Sequence, residues 1–308
     1  MKNIFARLLL CGGLATLTSF TSAQTESPQG PESKPYAIKP YTIKGSQVVD
    51  IHSQANGKDY ELFIKLPRSF HNTEQQYPLV LVNDADYAFP LISSITRQLG
   101  DHGKKIEDVV LVGVSYSKGD NGGLSRTRDY TPTPSPYEKG GHSEAARRAS
   151  GQSAKYIRFL ADEVLPYLSK HYRIHPHKKI FVGHSFGGLL GASILFDQPE
   201  AFDYYILGSP SLWYDNKVIF EMESRYAKRH KALDARVMMV IGEYENGKPH
   251  SHFTMVDDML AFEQQLVSRE YAGLEVTTKV IPEEYHVSVF PTLITDGLLW
   301  AIPRSKPL

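Results

Sequence analysis

The hydrophobic positions of this chain change their spacing from one segment to the next. PLVLVND (78–84) and DVVLVGVSY (108–116) are almost unbroken apolar runs, the pattern of strands covered on both faces. Between them YAFPLISSITRQL (87–99) brings its apolar residues back at helical spacing. The alternation then repeats. SAKYIRFLADEVLPYLSKHY (153–172) reads as a helix, KKIFVG (178–183) as a strand, LLGASILFDQP (189–199) as a helix and FDYYILGSP (202–210) as a strand. A charged helix through Arg229 follows, then the strand ARVMMVIG (235–242), the helix MVDDMLAFEQQLVSR (255–269), the strand LEVTTKVIP (274–282) and a last helix over about 289–301. Upstream, QVVDIHSQ (47–54) and KDYELFIKLP (58–67) flank Asn56-Gly57, a turn signal that predicts an antiparallel pair. The expected class is α/β: a mostly parallel, doubly wound sheet with an antiparallel strand pair at its N-terminal side. In such sheets the site forms beyond the C-terminal ends of the strands.

Composition narrows this reading. With 308 residues, 41% of them hydrophobic, the chain can build one large domain, expected over 41–303. Its 34 Lys and Arg balance 34 Asp and Glu, so bulk electrostatics gives no argument for a nucleic-acid partner. The basic run RYAKRHK (225–231) reads as a solvated helix face. At the N-terminus a basic start, the apolar run LLLCGGLATLTSF and the small residues TSA form a secretory signal, expected over 1–23 with cleavage after Ala23. That apolar run is too short and too interrupted by Gly and Thr to span a membrane. The mature protein is therefore expected to be exported, periplasmic or secreted, with 24–40 as a disordered leader. Cys11, the single cysteine, lies in the signal, so the mature chain is expected to hold no disulfide and no thiolate metal site.

The candidate chemistry lies in KIFVGHSFGGLLGASIL (179–195), where a strand meets a helix through G-x-S-x-G. Without Cβ atoms, Gly183 and Gly187 let strand and helix close around a tight turn that lifts Ser185 above the sheet edge. The N–H of Phe186 then points into the same space as an oxyanion donor. A serine hydroxyl needs a base. His286, in KVIPEEYHVSVFP between the last strand and the last helix, holds that place in the order serine, acid, histidine of α/β-hydrolases. His184 is expected to pack beside the elbow, and His171, His175 and His177 lie at the wrong end of their strand. Neither that cluster nor His250 with His252 has carboxylates at metal-ligand spacing. The acid should follow ARVMMVIG, where GEYENG (242–247) offers two carboxylates. The Gly-x-x-acid spacing common in this fold favours Glu245; Glu243 stays open as the alternative, as does a dyad in which no acid is essential.

With these residues placed, VGHSFGG (182–188), RTRDYTPT (126–133), SPSLWYD (209–215) and YHVSVFP (285–291) together resemble the esterase D-like family of α/β-hydrolases, over about 47–302. Within it the chain looks most like siderophore esterases, which cut ester bonds in iron-chelating catecholate trilactones. The resemblance implies that Arg126, Arg128 and Asp129 border the active site. An arginine there grips an anionic substrate oxygen, or else pairs with Asp129 to tie down a loop. It implies that Trp213 walls the pocket. The family's oxyanion loop often reads Leu-Asp-Gly, whereas this chain has VNDADYAF with Ala85 in the glycine's place; the second oxyanion N–H would come from Asp86 or a neighbour.

The expected activity is hydrolysis of a small-molecule carboxylic ester through an acyl-enzyme, with no cofactor. Transfer of the acyl group to an alcohol would use the same residues. A hydrolase scaffold that only binds is a third reading, but such a scaffold has no need of the serine, the histidine and the carboxylates together.

Overall fold

A computed structural model of the chain describes residues 38–135 and 142–304. The chain divides into two units, Met1–Tyr41 and Thr42–Leu308. The predicted signal, Cys11 and the leader through residue 37 lie outside the described residues.

The second unit is built on eight strands: β1 (Ser46–His52), β2 (Asp59–Lys65), β3 (Tyr77–Val82), β4 (Val110–Val114), β5 (Ile174–His184), β6 (Tyr204–Gly208), β7 (Ala232–Gly242) and β8 (Ala272–Ile281). They lie in the order β1-β2-β4-β3-β5-β6-β7-β8. β1 pairs with β2 and β2 with β4 antiparallel, and every later pairing is parallel. This is the mostly parallel sheet with an antiparallel N-terminal pair that the hydrophobic spacing predicts.

Side chains alternate across a strand, and the central strands have an apolar residue for each face. Leu79, Leu81, Phe181, Tyr205 and Leu207 enter one core; Val80, Val82, Ile180, Val182 and Ile206 enter the other. The second core is closed by α1 (Ala85–Thr96) and α9 (Phe290–Ala301), through Ala88, Ile92, Leu293 and Leu298. The first is closed by the paired segments α4 (Ser153–Arg158) and α5 (Leu165–His171), by α6 (Phe186–Asp197), α7 (Tyr214–Ala227) and α8 (Met255–Ser268). A wider turn over Phe159–Val164 joins α4 to α5 just before Pro166, which has no N–H to continue the ladder. Each fully buried Leu, Ile, Val or Phe contributes about 1.5–3 kcal/mol. Both cores are thus fixed by the same strands that carry the site. Among the described residues no helix is long and apolar enough to cross a membrane.

Two helices lie where the hydrophobic spacing shows none, α2 (Gly122–Tyr130) and α3 (Glu144–Ala149). The buried side of α2 is Ser125, Thr127, Arg128, Asp129 and Tyr130, so its period is carried by polar residues. The Asn121 side chain caps it, accepting the Leu124 N–H at 2.9 Å. The segment RTRDY is therefore helical rather than loop.

The parallel strands end almost level. His184 is in register with Gly208, Gly208 with Val240, and Gly242 with Ile281. The residues that follow them converge on one edge of the sheet.

Candidate active site

Ser185 leaves β5 with φ 61° and ψ −118°. A residue with a side chain pays about 1–3 kcal/mol for such a backbone, and the surroundings hold it there. Its N–H donates to Gly208 O at 2.8 Å, and its carbonyl accepts from Leu189 at 3.0 Å and Ser211 at 3.1 Å. A Cβ on Gly183 would stand 2.2 Å from Gly187 O, so strand and helix could not close with any other residue there. Gly187 differs from the sequence argument: a Cβ there would meet Asp84 Oδ2 at 3.6 Å, an ordinary contact, so space does not demand a glycine at that position. Phe186 opens α6, and its N–H belongs to the first turn, where no helical acceptor is available.

The loop after β8 carries His286 back to this edge. Its Nδ1 lies 2.5 Å from Glu245 Oε2. Glu245 is only 3% exposed, and its other oxygen accepts from Ser209 Oγ at 2.7 Å and from the Gly242 N–H at 2.9 Å. Glu243, in the same short turn, is exposed and accepts instead from the Glu283 N–H at 3.0 Å. The two carboxylates left open by the sequence are thus separated: Glu245 meets the imidazole and Glu243 does not. Gly242 permits the crossing, since a Cβ there would lie 2.3 Å from Glu284 O. With Nδ1 committed, Nε2 is the ring nitrogen left for the cavity of about 450 Å³ that Ser185 and His286 both line. Ser185 Oγ lies 3.4 Å from Ser211 Oγ.

Ser209 joins the site without any role marked for it in the sequence motifs. It is fully buried, has a left-handed φ of 39°, and aims its hydroxyl at the carboxylate. The available signal was its place, directly after a central strand at the site edge. His184 packs between His286, ring centroids 4.7 Å apart, and Phe290 at 5.4 Å. Burial, reinforced by the neighbouring His286 imidazole, lowers its pKa to about 3. It stays neutral and fills space under the catalytic edge.

The arginines of α2 part company. Arg126 lines the serine cavity and donates from Nε and Nη2 to the two oxygens of Asp84, at 3.0 and 3.1 Å. Its guanidinium also stands 5.4 Å from the Phe186 ring. Asp84 caps α1 in the left-handed region (φ 53°), is buried, and accepts in addition from Tyr116 OH at 2.8 Å. Burial and the Asp84 charge push the Tyr116 phenol far above its usual range. Arg128 corrects the expectation that it borders the site. It is 5% exposed, lines neither the serine cavity nor the cavity beside it, and is held by Asp129, by Asp120 at 2.5 Å and by Ser117 Oγ at 2.9 Å. Asp86 lines a separate pocket with Thr42, Val48 and Phe63, and its N–H lies in the first turn of α1. The carboxylate that reaches the elbow is Asp84, to which no sequence motif gives a role. Trp213 lines the serine cavity and stacks on Phe253, centroids 4.5 Å apart.

Known proteins resemble this chain in sequence and in fold. A family model described as "Putative esterase" matches residues 53–286. Ferri-bacillibactin esterase BesA of Bacillus subtilis is 26% identical over 273 residues, covering 87% of this chain and 93% of that protein. The siderophore enterobactin esterase of Emericella nidulans is 27% identical over 152 residues, 48% of this chain and 50% of that protein. Among solved structures, an IroE-like serine hydrolase from Shewanella oneidensis superposes with a TM-score of 0.73 at 25% identity, covering 83% of this chain and 79% of that one. With the model spanning most of the sheet and the strand-end loops, the chain belongs to this esterase family and is an ester hydrolase on the α/β-hydrolase fold.

Proposed function

We propose that Ser185, His286 and Glu245 cleave carboxylic esters through an acyl-enzyme, that the substrate is a siderophore ester, and that the protein works outside the cytoplasm after removal of 1–23. The observation that carries the chemistry is the strained Ser185 at the end of β5, lining one cavity with an imidazole whose Nδ1 is held by a buried carboxylate. Ser185 Oγ bonds to the ester carbonyl carbon while its proton passes to His286 Nε2. Glu245 fixes the ring and stabilises the imidazolium, and is itself held by Ser209 and Gly242. The oxyanion is met by the Phe186 N–H and an N–H from the first turn of α1, at Ala85 or Asp86. Collapse breaks the carbon–oxygen ester bond, and the imidazolium proton leaves with the alcohol. Water then repeats the sequence on the acyl-enzyme and releases the acid. In sites without substrate the serine–imidazole bond is commonly long, which agrees with Ser185 Oγ resting near Ser211.

The siderophore reading is supported by the names of two relatives, by the Arg126 guanidinium at the cavity and by its aromatic lining of Trp213, Phe253, Tyr244 and Tyr285. Such walls suit flat, anionic catecholate arms. The test is incubation of the mature protein with enterobactin and, in parallel, with p-nitrophenyl acetate, products resolved by chromatography, beside Ser185→Ala. Opened and fragmented trilactone from the wild type, with turnover at least about a thousandfold lower in the variant, is expected. Equal rates in wild type and variant would overturn the role of Ser185; turnover of p-nitrophenyl acetate alone would overturn the substrate.

A further inference from the structure

The stacked rings of Trp213 and Phe253 line more than the serine cavity. Together with His142 they also line a second cavity of about 630 Å³, so the two spaces adjoin across these three side chains. Pockets of a few hundred to about a thousand Å³ are the size that holds small ligands. The space at Ser185, about 450 Å³, is the smaller of the two and has room for a single short ester.

The second cavity is lined by a stretch of backbone that is costly to build. Asp215, Asn216 and Lys217 are all left-handed, with φ of 43°, 55° and 65°. Each such residue costs about 1–2 kcal/mol without a glycine. Side chains over-determine the turn: Thr133 Oγ1 donates to Asp215 Oδ2 at 2.6 Å, Tyr214 OH donates to Thr133 O at 2.8 Å, and Lys217 Nζ lies 2.7 Å from Oδ1 of the buried Asp258. The lining is therefore fixed before any ligand arrives. On this turn Lys217 is paired with Asp258 and Asp215 accepts from the Thr133 hydroxyl, and the lining adds hydrogen-bonding side chains, Asn216 and Thr254 among them, beside flat aromatic walls.

We propose that this second cavity is a substrate subsite: it takes a neighbouring arm, planar and bearing amide or hydroxyl groups, of the same ester whose carbonyl sits at Ser185. The enzyme then selects esters with at least two arms. The inference rests on the reading of Ser185 as nucleophile, and the test separates the two.

The probes are the linear two-arm ester of N-(2,3-dihydroxybenzoyl)serine and the one-arm methyl ester of the same acid, which presents the same acyl group. Thr254→Trp and His252→Trp place a large ring in the second cavity from exposed positions that do not line the serine cavity. In the wild type, kcat/KM for the two-arm ester is expected to exceed that for the one-arm ester by about tenfold or more. Each substitution is expected to lower this ratio about tenfold, chiefly through KM, the scale of one lost contact set of about 1.4 kcal/mol. Calorimetric binding of the two-arm ester to Ser185→Ala, alone and combined with each tryptophan, is expected to show the same loss in Kd. A wild-type ratio near one, or a ratio and Kd untouched by both tryptophans, would overturn the subsite. Turnover that persists in Ser185→Ala would overturn the nucleophile, while the calorimetric comparison still decides the subsite.

Discussion

On α2 the side chain of Arg126 turns to the serine cavity, while that of Arg128, two residues later, is sealed into the loop that follows β4. Both are arginines paired with a buried aspartate, and the motif alone treats them alike. Two positions on a helix lie about 200° apart, so neighbours at this spacing never share a face. Arg128 spends four of its five N–H donors on Asp129, Asp120 and Ser117 and is buried away from the serine cavity. Arg126 spends Nε and Nη2 on Asp84, and its Nη1 makes no hydrogen bond among the described residues. One arginine closes a loop; the other is anchored on one side and open on the other. Glu243 and Glu245 repeat the contrast within one turn, the first exposed and tied to Glu283, the second buried against His286. Partners, rather than residue type, divide structure from chemistry.

The largest expected separation is between those two glutamates. Glu245→Gln should lower kcat by about 10³–10⁴-fold, because the amide cannot stabilise an imidazolium, whereas Glu243→Gln should stay within about twofold. Stopped-time assays with p-nitrophenyl acetate would measure both, and similar losses in the two would break the distinction. Next comes stability. Arg128→Met strips Asp129 and Asp120 of their buried partner and should cost about 3–5 kcal/mol in urea unfolding, while the protein that remains folded still turns over the short ester. A variant as stable as the wild type would contradict the structural role. Arg126→Met should act mainly on the substrate: kcat/KM for a catecholate ester down about 10–100-fold, with a smaller loss of stability, since Tyr116 still donates to Asp84. Equal losses on the catecholate and on p-nitrophenyl acetate would argue against a substrate contact.

The effect that vanishes at neutral pH concerns His184. Its pKa in the folded chain, about 3, lies below its usual value of 6.5. Above pH 6.5 it is neutral in both states and contributes nothing. Below that, the unfolded chain takes up a proton that the folded chain refuses until about pH 3, so stability falls as pH falls, by about 1.4 kcal/mol per unit for this one group. Replacement by leucine should therefore flatten the acid limb of the stability curve between pH 6.5 and 4. An unchanged slope would mean that the imidazole charges in the folded state.

Much of this architecture was legible in the sequence because it is written in apolar spacing. The strands and their covering helices bury aliphatic residues on both faces, and the elbow is marked by a glycine that the backbone contact at Gly183 demands. Helix α2 was not legible, because Ser125, Thr127, Arg128 and Asp129 are buried by hydrogen bonds and ion pairs rather than by hydrophobicity. The choice of Glu245 over Glu243 rested on spacing alone, since only three dimensions show which carboxylate the Gly242 crossing brings to the ring. Asp84 and Ser209 escaped for a related reason: each depends on a left-handed residue at a strand end, with φ of 53° and 39°, that no propensity announces.

The central claim is that Ser185 is the nucleophile. The most direct measurement is intact-mass and peptide mapping after reaction with a fluorophosphonate, alongside the ester assay. The account predicts one adduct, on the peptide carrying Ser185, forming as activity is lost, absent in Ser185→Ala and slowed in Glu245→Gln. An adduct on another serine, or full ester turnover by a protein that never labels at Ser185, would contradict it.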